Sequence, residues 1–234
     1  MKKLYILLVL IGFSTSCAEL QDVVGQFPQT PVSEAEIANG LRQALNQGID
    51  QQVSQLAKED GFFRNELVKI VLPNELQKVD KTLRDIGLSN LADEGLKVLN
   101  RAAEEAVKEA TPIFVNAVKD ITFSDARDIL LGKDDAATQY LILRTRNELY
   151  GKFNPVIEKS FQEVGADVIW ENLINRYNAI PLTNDVNPDL TDYVTNEALE
   201  GVFTMIALEE KEIRSSISAR TTELLRRVFA LQDR

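Results

Sequence analysis

The chain has 234 residues with 26 basic and 36 acidic side chains, a formal charge of -10, and no histidine. A surface this acidic is repelled by phosphate backbones and anionic headgroups, which argues against nucleic-acid binding. The missing histidine removes Ser-His-Asp and Cys-His catalysis together with histidine-ligated zinc, iron and copper sites.

Lys2 and Lys3 precede a ten-residue apolar core, Leu4 to Phe13, that ends in small residues. This is the layout of a bacterial export signal. Ten residues are too few to span a bilayer as a helix, which needs roughly 20, so residues 1–16 are expected to be cleaved. The run Ser14-Thr15-Ser16-Cys17 fits the small-x-small rule of ordinary signal peptidase. It also resembles the lipobox of bacterial lipoproteins, in which a cysteine thiol receives a diacylglycerol before cleavage. Ser14 stands where that motif usually has leucine.

Cys17 is the chain's one cysteine, so it has no intramolecular disulfide partner. As an unmodified leftover thiol it would be exposed to oxidation outside the cytoplasm. Lipidation of Cys17 is therefore the preferred reading, and attachment to the membrane through its acyl chains follows. Loss of residues 1–16 removes two of the 26 basic groups and none of the 36 acidic ones, which takes the charge from -10 to -12. Membrane association would then come from the anchor and not from a basic patch.

Residues 17–32 contain two prolines and a glycine with little periodicity, and read as a flexible tether. Residues 33–234 read as one all-α domain, an irregular multi-helix array with one short extended segment near residues 67–73.

Ser33 opens the first helix as an N-cap with Glu36 completing a capping box. Ile37, Leu41, Ala44, Leu45 and Gly48 then share one face. Gly40 inside it costs about 1 kcal/mol against alanine unless a neighbouring helix packs closely there. Asp60-Gly61 is a turn pair, and "LVKIVLP" reads as a packed extended connector or a brief strand ended by Pro73. Asn74 caps a helix carrying Leu76, Val79, Leu83 and Ile86, with Gly87 as its stop.

Ser89 caps a longer run. Its stripe is Leu99, Ala102, Ala103, Ala106, Ala110, Ile113, Phe114, Ala117 and Ile121. Pro112 lies within the stripe and removes a backbone hydrogen bond, so a kink or two abutting helices is expected. Ser124 caps a short helix that Gly132 ends, and Asp134 or Asp135 opens the next. Asn154-Pro155 has the form of an N-cap and first helical residue, which starts a separate helix ending near Gly165. Further helices hold Ile169, Trp170, Leu173, Ile174 and Tyr177, and, after a turn at Pro181, residues 187–214 and 219–234.

"SEAEIANGLRQALNQG", "LPNELQKVDKTLRDIGL", "DARDILLGKDDAATQY" and "NPDLTDYVTNEALEGVF", in this order and spacing, resemble the bacterial family catalogued as domain of unknown function 4197. The likeness covers roughly residues 33–230. It implies an exported or lipid-anchored protein of a Gram-negative envelope and brings no assigned activity or catalytic residues. The family pattern often has a proline where this chain has Val71.

Candidate chemistry is sparse. Asp185, Asn187, Asp189 and Thr191 alternate like the opening of a calcium loop, but Leu190 and Asn196 stand where an EF-hand needs glycine and glutamate. Asn187 as an N-cap, with Pro188 and Asp189 in the first turn, explains the same residues, and no metal or cofactor is expected. Tyr140, Arg144 and Asn147 share a helix face that suits either an anionic ligand or a plain arginine-tyrosine stack. Glu210 and Arg214 read as an i,i+4 pair on a solvated helix.

A non-catalytic binding or interaction domain, taking a protein partner or an apolar ligand between helices, is the preferred function. Its place would be the cell envelope, at the outer membrane facing the periplasm. A carboxylate-dependent envelope hydrolase acting on glycans is the alternative, with no catalytic residues identifiable from spacing.

Overall fold

Ser33 and Glu36 start the first helix by exchange. The Ser33 hydroxyl accepts the Glu36 N–H at 3.2 Å, and the Glu36 carboxylate accepts the Ser33 N–H at 2.9 Å. This is the expected capping box, and it opens α1, Glu34–Leu56. The computed structural model describes residues 31–73, 77, 81, 84, 85, 87, 89–166 and 189–233. Contacts divide the chain after Val32, and the unit Ser33–Arg234 holds every element that follows.

Ile37, Leu41, Ala44, Leu45 and Gly48 are all buried on α1. Gly40 is where a neighbour comes close: an added Cβ would lie 2.7 Å from Cγ2 of Val228. Asp60 turns the chain after α1 with φ +66°. A Cβ at the following Gly61 would stand 2.4 Å from the Leu56 carbonyl. Both halves of the expected turn pair are thus used.

No strand forms among the described residues. A turn covers 66–68, and residues 69–73 have no regular structure. Asn100 supplies what a neighbouring strand would have supplied. Its side chain accepts the Ile70 N–H and donates to the Ile70 carbonyl, both at 2.8 Å, so a buried stretch of chain keeps its hydrogen bonds without a sheet.

Gly87, with φ +85° in a turn, stands where a helix stop was expected. The Asn74 cap and the apolar face Leu76, Val79, Leu83 and Ile86 lie outside the described residues. The next helix, α2, runs Ser89–Ala106, so Ser89 is its first residue and not its cap. A 3-10 turn, Val107–Glu109, joins it to α3, Ala110–Lys119. All nine residues of the predicted stripe are buried. Of the two expected outcomes at Pro112, abutting helices is what occurs. Pro112 falls in the first turn of α3, where its missing N–H has no intrahelical partner to lose.

Helix α4 spans Phe123–Leu130 and is capped by Thr122, which forms a capping box with Asp125. Ser124 lies inside the first turn, so the cap is two residues earlier than expected. Asp125 selects Thr122, because a capping box needs the acid three residues after the cap.

The largest departure is α5, one helix of 29 residues from Ala136 to Val164. It runs straight through Asn154-Pro155, where a new helix was expected. An interior proline costs about 3 kcal/mol. Against that, Leu141, Thr145, Leu149, Phe153, Ile157 and Phe161 form an unbroken buried row at four-residue spacing. Burying Ile157 and Phe161 alone is worth about 1.5–3 kcal/mol each. Pro155 and Gly151, whose carbonyl loses its partner, both face solvent. Gly165 ends the helix at φ +67°, as expected.

The helix carrying Ile169, Trp170, Leu173, Ile174 and Tyr177 lies outside the described residues, as does the Pro181 turn. Helix α6 covers Leu190–Ser215, and a 3-10 turn, Ile217–Ala219, leads to α7, Glu223–Phe229.

α6 lies along α5 and α1, and α2 also packs on α5. α3 contacts both α1 and α5, while α4 and α7 rest on α1. Phe114 of α3 meets Phe203 of α6 edge to face with centroids 5.9 Å apart, near the centre of this all-α core. Among the described residues no helix is long and apolar enough to cross a membrane.

Candidate functional site

Helix ends create demand for polar partners, because the first N–H and last C=O groups have none within the helix. α4 ends and α5 begins within a few residues of each other, against the C-terminal half of α6. Glu210 and Arg214 of α6 meet that demand.

One Glu210 oxygen accepts the Ala137 N–H at 2.9 Å; the other accepts the Thr138 N–H at 2.8 Å and its hydroxyl at 2.7 Å. A carboxylate there also complements the positive end of the α5 dipole. Arg214 donates to the carbonyls of Leu130 at 3.0 Å and Ile129 at 2.9 Å, the last residues of α4. Nε and Nη2 return to Glu210 at 2.9 and 2.7 Å. Each of the two residues is 7% exposed.

The solvated pair expected from i,i+4 spacing is therefore a buried junction of three helices. It also explains why Asp135 sits at the N-cap of α5 without a side-chain capping bond. Glu210 has taken the N–H groups, and the Asp135 carboxylate accepts from Gln139 instead.

Arg220 extends the cluster. It is 2% exposed and donates to the carbonyls of Ile213 at 3.1 Å and Arg214 at 2.8 Å. Both Asp233 oxygens receive its remaining N–H groups, and this bond holds the Asp233 carboxyl below the usual carboxylate range. Gln232 and Arg214 exchange hydrogen bonds at 2.8 and 3.1 Å. Beside the cluster, a cavity of about 20 Å³ is walled by Leu41, Leu45, Gly48, Ile206, Glu210 and Phe229. That is room for about one water molecule.

A second buried acid, Glu104 of α2, holds the turn after α1. It accepts the N–H groups of Phe62 at 3.1 Å and Phe63 at 3.3 Å and pairs with Arg101. Arg101 in turn binds Glu59 at 2.8 Å and Asp60 at 2.7 Å. An open depression of about 590 Å³ lies over this turn, with Glu59, Asp60, Arg64, Glu66, Leu67 and Met205 on its walls.

A third polar group joins α5 to the start of α6. The Tyr150 hydroxyl donates to Asp192 at 2.7 Å. That bond, with burial, pushes the phenol up to about 12. Asn196 donates to the same oxygen at 3.1 Å.

The residues singled out by spacing fare differently. Asp189 is the N-cap of α6, accepting the Asp192 N–H at 3.1 Å, so the cap is two residues after the expected Asn187. Thr191 is buried behind it, while Asp185 and Asn187 lie outside the described residues. No group of three or more metal-ligating side chains occurs among the described residues. Arg144 stacks over Tyr140 at 5.3 Å from the ring centroid, and Asn147 is exposed. Cys17 lies outside the described residues.

The family model described as "Protein of unknown function (DUF4197)" matches residues 31–230. The chain belongs to this family. No curated protein and no solved structure matches it. The family description assigns no activity, so function has to be argued from the groups above.

Sequence reasoning missed Glu104, Asn100 and Arg220, and it paired Glu210 with Arg214 but placed them in solvent. A local signal for their burial existed. Ile206, Glu210, Ile213 and Arg214 fall at i, i+4, i+7 and i+8, so the charges lie on the apolar face of α6.

Proposed function

We propose that this protein is a lipid-anchored envelope protein whose helical domain binds a protein partner and catalyses no reaction. The observation that carries the reading is the N-terminal run itself: two lysines, ten apolar residues, small residues, then the chain's one cysteine. Cys17 takes the acyl chains, residues 17–32 form the tether, and the domain stands at the outer membrane facing the periplasm.

Absence of catalysis is supported by how the buried acids are used. Glu210 and Glu104 are committed to backbone N–H groups and to arginines. Around the open depression, Asp60 is paired with Arg64 and Arg101, and Glu59 with Arg101. No observation favours the hydrolase alternative over this reading. Among the described residues the cavity between α1 and α6 has room for about one water, which supports a protein partner over an apolar ligand held there. Apolar side chains instead stand in solvent, Leu143 at 84% exposure and Leu67 at 68%.

Metabolic labelling with a fatty acid, followed by membrane fractionation, tests the anchor. The wild-type chain takes label and sediments with membranes, whereas Cys17→Ser takes none and is soluble. Unlabelled wild-type protein in the soluble fraction would overturn the reading.

A further inference from the structure

Arg214 and Arg220 are both buried, but they differ in what neutralises them. Arg214 has Glu210 on its own helix and two carbonyls of α4. Among the described residues the carboxylate paired with Arg220 is Asp233, which is 42% exposed at its side chain. The other partners of its guanidinium are the carbonyls of Ile213 and Arg214 and the ring of Phe229 on α7, 5.8 Å from the centroid.

If Asp233 leaves, Arg220 becomes a buried cation without a counter-ion, which is strongly unfavourable. The cost is relieved when Arg220 reaches water. Arg220 directly follows the 3-10 turn Ile217–Ala219 and sits in the link to α7, so that whole stretch has to lift with it. α7 then follows. It has seven residues, far below the length at which an isolated helix holds together. What then holds it is the burial of Leu225, Val228 and Phe229, the contact of Val228 with Gly40, the hydrogen bonds of Thr221 to Gln47 and Thr222 to Gln43, and the Arg227–Glu36 pair. The Thr221 bond and the Arg227–Glu36 pair are exposed to solvent, and a cavity of about 20 Å³ lies beside Phe229.

Arg214 marks where the opening stops. Its Glu210 and α4 bonds do not involve the C-terminal stretch, so α6 keeps its place when Gln232 departs.

We propose that Ser216–Asp233 is a strap that opens and closes as one cooperative unit over α1, locked by the Asp233–Arg220 pair and bounded at Arg214. Cooperative sub-global opening of this kind is a common feature of small domains. Opening uncovers the apolar stripe of α1 around Gly40, Leu41 and Ala44 while the junction at Glu210 stays intact. The inference is independent of the anchor and partner reading above.

Native-state hydrogen exchange on the full-length chain, purified in mild detergent, tests it. In the wild-type protein, amides of the 3-10 turn and α7 exchange faster than those of α5 residues 141–161. In low urea they converge on one common opening curve. Asp233→Asn speeds exchange across residues 217–229 at least tenfold and leaves α5 and α6 residues 198–210 at wild-type rates. Two results would overturn the proposal. One is wild-type protection of α7 in Asp233→Asn; the other is an equal rise in exchange across α5, which would mean that the whole domain and no separate unit had been loosened. If Asp233→Asn does not fold, the wild-type urea series decides alone: separate opening curves for the turn and α7 defeat the claim.

Discussion

Glu210 and Arg214 meet at 2.7 Å, one turn apart on α6, and each closes the end of a different helix. Removing one partner of a buried pair costs about 3–5 kcal/mol because the other charge is stranded. Glu210→Gln is expected to lose stability in that range by urea denaturation. Ordinary buried pairs recover when both members become apolar. Here the double variant Glu210→Met, Arg214→Met should remain destabilised, since Ala137, Thr138, Ile129 and Leu130 would keep unsatisfied backbone groups. Recovery to wild-type stability would mean that the helix-end bonds contribute nothing.

Gly40 and Gly95 both occupy helices, yet alanine should act on them with opposite sign. At Gly40 the new Cβ meets Val228 at 2.7 Å, while at Gly95 nothing lies within 4 Å. Gly95→Ala should gain up to about 1 kcal/mol from helix propensity. Gly40→Ala should lose about 1–3 kcal/mol through overpacking, with part restored by adding Val228→Ala. Thermal melts of the three variants are sufficient.

Glu197 has its carboxyl pushed up, first by burial and then by Glu200. A carboxyl raised on folding contributes stability below its unfolded value and loses it as pH climbs through the folded value. Glu197→Gln should therefore raise Tm at pH 7, and the gain should vanish on acidification below the ordinary carboxylate range.

Asp125 shows the reverse. Hydrogen bonds from the Thr122 backbone and hydroxyl hold its carboxyl below the usual range. A depressed carboxyl contributes stability above the unfolded value and loses it as pH falls through the folded one. Asp125→Asn should cost less than about 1 kcal/mol at pH 7, with the difference from wild type shrinking at acid pH. A pH series of melts reads both signs.

Much of the fold was legible because it is set by near neighbours. Ser33 with Glu36, the stripe from Leu99 to Ile121, and Gly165 as a helix stop each need no more than a few turns of chain. Asn154-Pro155 misled because its local preference for a helix start is outweighed by the burial of Ile157 and Phe161, a tertiary quantity. Thr122 was passed over for Ser124 because both residue types cap well, and the choice rests on Asp125. The junction at Glu210 was illegible as a junction. Its partners lie 72 to 85 positions away, and an i,i+4 pair looks the same in solvent and in a core. Only its place on the apolar face of α6 distinguishes it.

The proposed lipid anchor is tested most directly by an intact mass of the full-length protein extracted from membranes in mild detergent. The expected mass is that of residues 17–234 plus acyl groups on Cys17. An unmodified chain beginning at Cys17, or one that still retains residues 1–16, would contradict it.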